Sequence, residues 1–382
     1  MPTQRRVEPE RLPETLNTIP GLEVLREAAA RFPVYLVGGV VRDLLLGRPR
    51  TDIDVAVEAD VRSIADALGG QVVEHERFAT ASVTVDGLHV DLARTRGETY
   101  EQPGALPTVT PATIADDLAR RDFTINAMAV PLTGEPALID PHRGVDDLRS
   151  GVLRVLHERS FVDDPTRALR AARYAARFDL ELEPGTAGLL RSADLGTVST
   201  DRVKAELGRI AAEDGAPRAL GLIGEWGLLG LPSDAVELAA QLRELSAWPP
   251  WSGFMDPTAA ILAASGYGHA AGPVRRAAEE LAKATPERPS QGVRVVKGAS
   301  PVELLLARAM GAEWLDRYVD EWSKVSLEID GADLLKEGIP EGPAVGRGLE
   351  AALSAKLDGE ISGRDEELRI ALAAARGEIP ED

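Results

Sequence analysis

The chain has 382 residues, 44% of them hydrophobic, with a formal net charge of −19, five histidines and no cysteine. That length can bury large cores and implies two or more domains, while the charge argues against indiscriminate nucleic-acid binding. The missing cysteines exclude disulfides, thiolate catalysis and thiolate metal sites, and histidines without zinc spacing argue against structural zinc.

Residues 1–6 lack the apolar core of a signal peptide, and no apolar run reaches the ~18 residues of a membrane span. A cytoplasmic protein with no membrane partner is expected. Residues 9–31 read as a helix packed on the strands and helices after it. Residues 34–37 read as a short buried strand, and residues 40–46 as a helix opening after Gly38-Gly39. A second strand comes next over 52–57 and a helix over 62–68. Residues 79–85 and 88–93 alternate around Asp86-Gly87, a hairpin signal. Residues 1–148 are therefore expected to be an α/β head on a mixed β-sheet. After Leu153 apolar residues recur at helical spacing, so an all-α region is expected, divided into a neck over 149–230 and a body and tail over 231–382. Pro-rich stretches at 248–257 and 285–301 suggest connections between helical subdomains. No internal repeat is present.

Charge is uneven. Between Arg149 and Arg177 stand seven arginines against Glu158, Asp163 and Asp164, so that segment carries +4 and the remainder −23. Such a basic stripe suits local recognition of a polyanion; an ion-paired helix is the plain alternative.

Three constellations carry chemistry. In Thr51-Asp52-Ile53-Asp54-Val55, a strand places Asp52 and Asp54 on one face. Two adjacent carboxylates with apolar neighbours call for a cation, and oxygen ligands suit magnesium or manganese. Upstream, Gly38-Gly39-Val40-Val41-Arg42-Asp43 lets backbone approach a phosphate and offers Arg42. Asp91, in His89-Val90-Asp91-Leu92-Ala93, could complete a three-carboxylate site or simply solubilise a strand end. The second constellation, Asp117-Leu118-Ala119-Arg120-Arg121-Asp122-Phe123-Thr124-Ile125-Asn126-Ala127-Met128-Ala129, mixes in Arg121, Asp122 and Asn126 a phosphate binder with groups able to bond ribose hydroxyls; a structural ion pair is the plain alternative. In the third, Asp163-Asp164-Pro165-Thr166-Arg167-Ala168-Leu169-Arg170-Ala171-Ala172-Arg173, Pro165 fits a first helical turn capped by Asp163 or Asp164. Asp164, Arg167, Arg170 and Arg173 then recur at intervals of three along one side. A carboxylate and guanidinium so spaced can address a base edge, or can form an i,i+3 ion pair.

From about Val34 to Leu182 these elements, in this order, closely resemble the class II tRNA nucleotidyltransferases and the related bacterial poly(A) polymerases. The resemblance implies a polymerase-β-like head that adds CMP and AMP to tRNA 3′ ends without a nucleic-acid template. It implies two metal ions, magnesium or manganese, held by Asp52 and Asp54; Asp91 stays a candidate third catalytic carboxylate. Gly38, Gly39 and Arg42 would meet the triphosphate of ATP or CTP. Arg121, Asp122 and Asn126 would face sugar and phosphates. Asp164 and Arg167 would pair with the incoming base, supported by Arg170 and Arg173. One departure is visible: the family commonly has Glu-Asp where this chain has Asp163-Asp164. The implied partners are the tRNA acceptor stem and elbow, for a monomer or homodimer. Val198-Ser199-Thr200-Asp201-Arg202 looks like the family's neck-helix signature, and residues 329–346 resemble a C-terminal segment of related enzymes.

The implied chemistry is two-metal in-line displacement, which needs no general base. In full CCA-adding enzymes the loop matching residues 94–109 helps the switch from C to A. The form here, Tyr100-Glu101-Gln102-Pro103-Gly104-Ala105-Leu106-Pro107-Thr108-Val109, looks more like A-adding enzymes; an ordinary Pro/Gly surface loop is the plain reading. CCA-, CC- and A-addition stay open, with A-addition slightly favoured. General poly(A) polymerase activity and a catalytically retired RNA-binding protein are alternatives.

Overall fold

The computed structural model describes residues 7–378 apart from 20, 49–51, 70, 76–79, 86, 87 and 269; the side chains of residues 52, 74, 75 and 88 also lie outside the described set. Two compact units form. One comprises Met1–Glu206 with Leu222–Leu229, the other Leu207–Gly221 with Gly230–Asp382.

The first unit begins with two short helices, α1 (Leu12–Leu16) and α2 (Leu22–Ala29), where a single helix was expected over 9–31. The break has a local cause: Gly21 takes φ 75°, a left-handed conformation that a continuous helix cannot hold. Then come β1 (Val34–Val37), α3 (Gly39–Leu45), β2 (Asp52–Val57), α4 (Val61–Leu68), β3 (Gln71–His75), β4 (Thr80–Val85) and β5 (Leu88–Arg94). β4 and β5 pair as expected; the expected turn at Asp86-Gly87 lies outside the described residues. Residues 94–109 are not a plain loop. β6 (Arg96–Thr99) pairs with β7 (Thr108–Pro111) in a small hairpin, Glu98 opposite Val109. Threonine and valine supply the β propensity there.

Next are α5 (Ile114–Ala119), β8 (Ala129–Pro131), α6 (Gly144–Ser150), β9 (Val152–Leu153), α7 (Ser160–Asp163), α8 (Thr166–Phe178), β10 (Glu181–Leu182), α9 (Pro184–Leu190), α10 (Thr200–Ala212) and α11 (Ala216–Glu225). The main sheet runs β3-β4-β5-β2-β1-β8. It is mixed, because β2 and β5 are parallel while its other pairs are antiparallel. The second unit is helical among its described residues, through to Arg364–Ala375. Residues 248–257 are turns, but the Pro-rich stretch at 285–301 contains the helix Pro289–Val295, with proline in its first turn where its missing N–H is no loss. No helix among the described residues is long and apolar enough to cross a membrane.

Period-two alternation divides the sheet's faces. Leu36, Ile53, Val55, Val57, Val83, Val90 and Leu92 point into the large core with α2, α3 and α4. The opposite face is covered only in part, by a small cluster that includes Val37, Ala56, Leu118 and Ala127. Asp54 and Asp91 lie on this second face, where backbone regularity fixes them and packing does not cover them.

Leu36 is fully buried in β1, between Val55 of β2 and Val130 of β8. Leu36→Ala should cost about 2–5 kcal/mol in urea denaturation, and Leu36→Met less than about 1.5 kcal/mol. Equal losses would show that the sheet core is not packed as described.

Candidate active site

Parallel pairing of β2 and β5 sets Asp54 directly beside Asp91, and Asp52 beside His89. Neighbouring strands lie about 4.8 Å apart, so two exposed carboxylates stand side by side, an unfavourable arrangement unless positive charge accompanies them. Ser82 of β4, in register with Asp91, donates its hydroxyl to Asp91 Oδ1 at 2.6 Å. Among the described side chains no three acid or histidine groups converge; that set does not include the side chain of Asp52, so the expected three-carboxylate cluster falls partly outside it. The oxygen donors of Asp54 and Asp91 fit a hard divalent cation such as magnesium or manganese.

Beside this ledge stand arginines, held mainly by one carboxylate that sequence reading did not single out. Asp117 on α5 is buried. Its Oδ1 accepts from Arg120 Nη2 at 2.7 Å and its Oδ2 from Arg121 Nη2 at 2.9 Å. Burial pushes the Asp117 carboxyl up, but Arg121 and Arg120 outweigh it and hold the group below the ordinary carboxylate range. The signal was present as Asp117-x-x-Arg120-Arg121, whose i,i+3 and i,i+4 spacing puts three charges on one helix face. Glu98 on β6 was also missed: it pairs with Arg120 at 2.7 Å and accepts the Tyr100 hydroxyl at 2.9 Å. Burial, then Glu98, push the Tyr100 phenol well up.

Gly38 explains the paired glycines. It ends β1 at φ 68°, and an added Cβ would lie 2.5 Å from Arg121 Nη1. Arg42 is 2% exposed. Its guanidinium donates to Asp43 at 2.8 Å and to the side-chain carbonyl of Asn126, and stacks 4.3 Å from the Phe178 ring centre. α3 has only seven residues, so charge at this corner comes from side chains more than from a helix dipole. Asn126 is engaged at both ends of its amide, because its Nδ2 donates to Asp122 Oδ1 at 3.1 Å. Asp122 is itself buried, with Oδ2 2.6 Å from Arg170 Nη2, a charge contact without hydrogen-bond alignment. Burial pushes Asp122 up, but Arg170, Asn126 and Arg167 lower it overall.

Asp164 and Arg167 do not pair with each other. Asp164 Oδ1 accepts from the backbone N–H and hydroxyl of Thr166, at 3.1 and 2.6 Å, and from Arg202 Nη2 at 2.8 Å. The first of these lies just ahead of α8, whose N-cap position is Pro165 and not the expected Asp163 or Asp164. Arg167 is 4% exposed. Its Nη1 donates to Ser160 Oγ at 2.6 Å and its Nη2 to the Arg120 carbonyl at 2.9 Å. His157 Nε2 sits 3.4 Å from Arg167 Nη1, and burial together with Arg167 lowers the His157 pKa. Arg173 stacks on Tyr174 and lies 3.9 Å from Glu206.

These groups enclose a cleft of about 510 Å³ whose walls carry eight arginines and four carboxylates. Gly38, Gly39, Arg42, Asp54, Arg121, Asp122, Asn126, Asp164, Arg167, Arg170 and Arg173 all line it. Asp91 does not; it lines an adjoining cavity of about 360 Å³ with Ser82 and Thr80. Asp54, Arg120 and Arg121 line both.

Residues 34–154 match the family described as the poly A polymerase head domain. The chain is 33% identical to a CC-adding tRNA nucleotidyltransferase of Deinococcus radiodurans, over 94% of this chain and 93% of the relative. It is also 33% identical to an A-adding tRNA nucleotidyltransferase of Geobacter sulfurreducens over 90% of this chain, but only 45% of that longer relative. The match thus spans about half the length of this relative and of the A-adding enzyme of Halalkalibacterium halodurans. Its fold is similar to that of the Thermotoga maritima CCA-adding enzyme in complex with tRNA, at 30% identity and a TM-score of 0.74 over 96% of this chain and 98% of that one. The chain belongs to the tRNA nucleotidyltransferase family.

Because the folded Asp122 carboxyl titrates below its unfolded value of about 3.9, its pairing stabilises the fold above that pH. The contribution is lost as pH falls through the lower folded value. Asp122→Asn should cost about 1–3 kcal/mol at pH 7, since Arg170 loses its carboxylate but keeps Tyr174 and is a third exposed, and should flatten the loss of stability below about pH 4. Urea denaturation from pH 7 to pH 3 reads both effects. An acid limb as steep as the unsubstituted protein's would show that the pair does not carry it.

Proposed function

We propose that this member of the family transfers nucleotidyl groups from ATP or CTP to the 3′ end of tRNA without a nucleic-acid template, working in the cytoplasm on magnesium. One observation carries the reading: Asp54 stands where an arginine-rich cleft meets a second cavity bearing Asp91. A group transfer needs two reactants on opposite sides of one phosphorus. The cleft offers the charge to hold a triphosphate; the second cavity leaves room for an RNA end.

In the reaction, the RNA 3′ oxygen forms a bond to the α-phosphorus and the bond from that phosphorus to the bridging oxygen of the β-phosphate breaks. Pyrophosphate leaves and the hydroxyl proton passes to solvent. Asp52, Asp54 and Asp91 would hold the divalent metal, which when bound lowers the pKa of the attacking hydroxyl and offsets phosphate charge. Arg120 and Arg121, fixed by Asp117, face the triphosphate, and Gly38 and Gly39 keep side chains out of its path. Asp122 and Asn126, both engaged, act by holding Arg170 and Arg42 in place. Asp164 presents Oδ2 and Arg167 its N–H edge to the base. The head over 1–148 performs the chemistry, the neck over 149–230 reads the base, and the body and tail over 231–382 carry the acceptor stem and elbow of tRNA.

The sequence form of residues 100–109 supports A-addition. Correspondence with nearly all of the Deinococcus CC-adding relative supports CC-addition as the second reading. The test supplies purified protein, magnesium and each nucleoside triphosphate to tRNAs lacking one, two or three nucleotides of the terminal CCA. A-addition predicts one AMP on the tRNA lacking only its last nucleotide; CC-addition predicts CMP on the other two. Asp54→Ala should lower either rate by on the order of 10³-fold, and Arg167→Ala should relax nucleotide choice with metal dependence retained. Failure on all three tRNAs, or equal extension of unstructured RNA, would overturn the reading.

A further inference from the structure

We propose that Arg202 is a positioning residue that sets nucleotide choice, by latching the tip of the β6–β7 hairpin to Asp164. The inference rests on the reading of Asp164 and Arg167 as the base-reading pair. Arg202 lies on α10, 38 residues beyond Asp164, and its guanidinium spans two partners. Nη2 donates to Asp164 Oδ1 at 2.8 Å and Nη1 to the Gly104 carbonyl at 2.9 Å. With Thr166 supplying two more donors, Oδ1 is saturated. Oδ2 makes no hydrogen bond among the described residues, and Asp164 lines the cleft. Thr166 and Arg202 together anchor Oδ1, and Arg202 ties that oxygen to the hairpin tip.

Gly104 is fitted to this contact. It sits at φ 71°, and an added Cβ would lie 2.7 Å from the Thr197 carbonyl oxygen. Only glycine lets the hairpin tip come that close to the segment leading into α10. The hairpin's first strand reaches Arg167 through Arg120: Arg120 donates to the Arg96 carbonyl at 3.0 Å and pairs with Glu98, and its own carbonyl accepts from Arg167 Nη2. One small hairpin thus holds both members of the pair, Asp164 through Arg202 at its tip and Arg167 through Arg120 along β6. Tyr100 and Pro107, which flank the tip, line the same cleft. A shift of the hairpin would move acceptor and donor relative to each other, and a base edge is read by that spacing.

The experiment measures kcat/KM for all four nucleoside triphosphates on the preferred tRNA, with melting temperature, for Arg202→Gln, Arg202→Lys, Gly104→Ala and Asp164→Ala. Loss of a charge-assisted bond should reduce discrimination between the preferred and other nucleotides about tenfold or more in Arg202→Gln. Gly104→Ala should shift discrimination in the same direction. Arg202→Lys, able to hold one partner but not fork to both, should fall between, and it decides the matter if Arg202→Gln does not fold. A uniform loss for all nucleotides, or discrimination within twofold of the unsubstituted protein while Asp164→Ala loses it, overturns the latch. Unchanged discrimination in Asp164→Ala would instead overturn the base-reading role beneath it, and the latch with it.

Discussion

The parallel pairing of β2 with β5 is the constraint on which the rest depends. Within β2, alternation puts Ile53, Val55 and Val57 into the core and Asp54 on the opposite face. Pairing with β5 in this register brings Asp91 beside it. A slip of one residue would bury the carboxylates and expose the valines, so the hydrophobic core that stabilises the head also fixes the charge pair. The fold thus assembles like charges it would otherwise avoid.

Around that ledge the opposite difficulty is met. Many arginines converge on one cleft, and each needs a partner without giving up its position. Asp117 divides its two oxygens between Arg120 and Arg121, Asp122 faces Arg170, and Asp43 faces Arg42. These carboxylates are buried, where breaking a pair is costly. The result is a rigid set of cations before any polyanion arrives, so little ordering entropy remains to be lost on binding. A protein of net charge −19 thereby keeps a local site suited to a triphosphate.

Legibility in the sequence tracks the range of the interactions. Asp52 and Asp54, the glycine pair and the Asp164–Arg173 stripe are local patterns, legible from period two, turn chemistry and helical spacing. Asp91 was legible only as a candidate on a neighbouring strand; the parallel register that sets it beside Asp54, 37 residues away, is fixed by the sheet and not by local pattern. Arg202 stood in the neck-helix signature, but its bond to Asp164 depends on tertiary approach, and Glu98 looks like an ordinary surface charge until the chain returns to Arg120. An i,i+3 ion pair between Asp164 and Arg167 was an open reading; tertiary partners took both groups instead. Residues 9–31 were misjudged for a local reason, a left-handed Gly21, and the strands within 94–109 were hidden by their Pro/Gly tip.

The central claim is that Asp54 and Asp91 are held together for a cation. Manganese binding measured by calorimetry, with thermal melting alongside, tests it most directly. Manganese should bind the unsubstituted protein and raise its melting temperature, and both effects should be lost in Asp54→Asn and weakened in Asp91→Asn. Without metal, Asp91→Asn should be at least as stable as the parent, because a like-charge contact has been removed. Equal manganese binding by all three proteins would contradict the account.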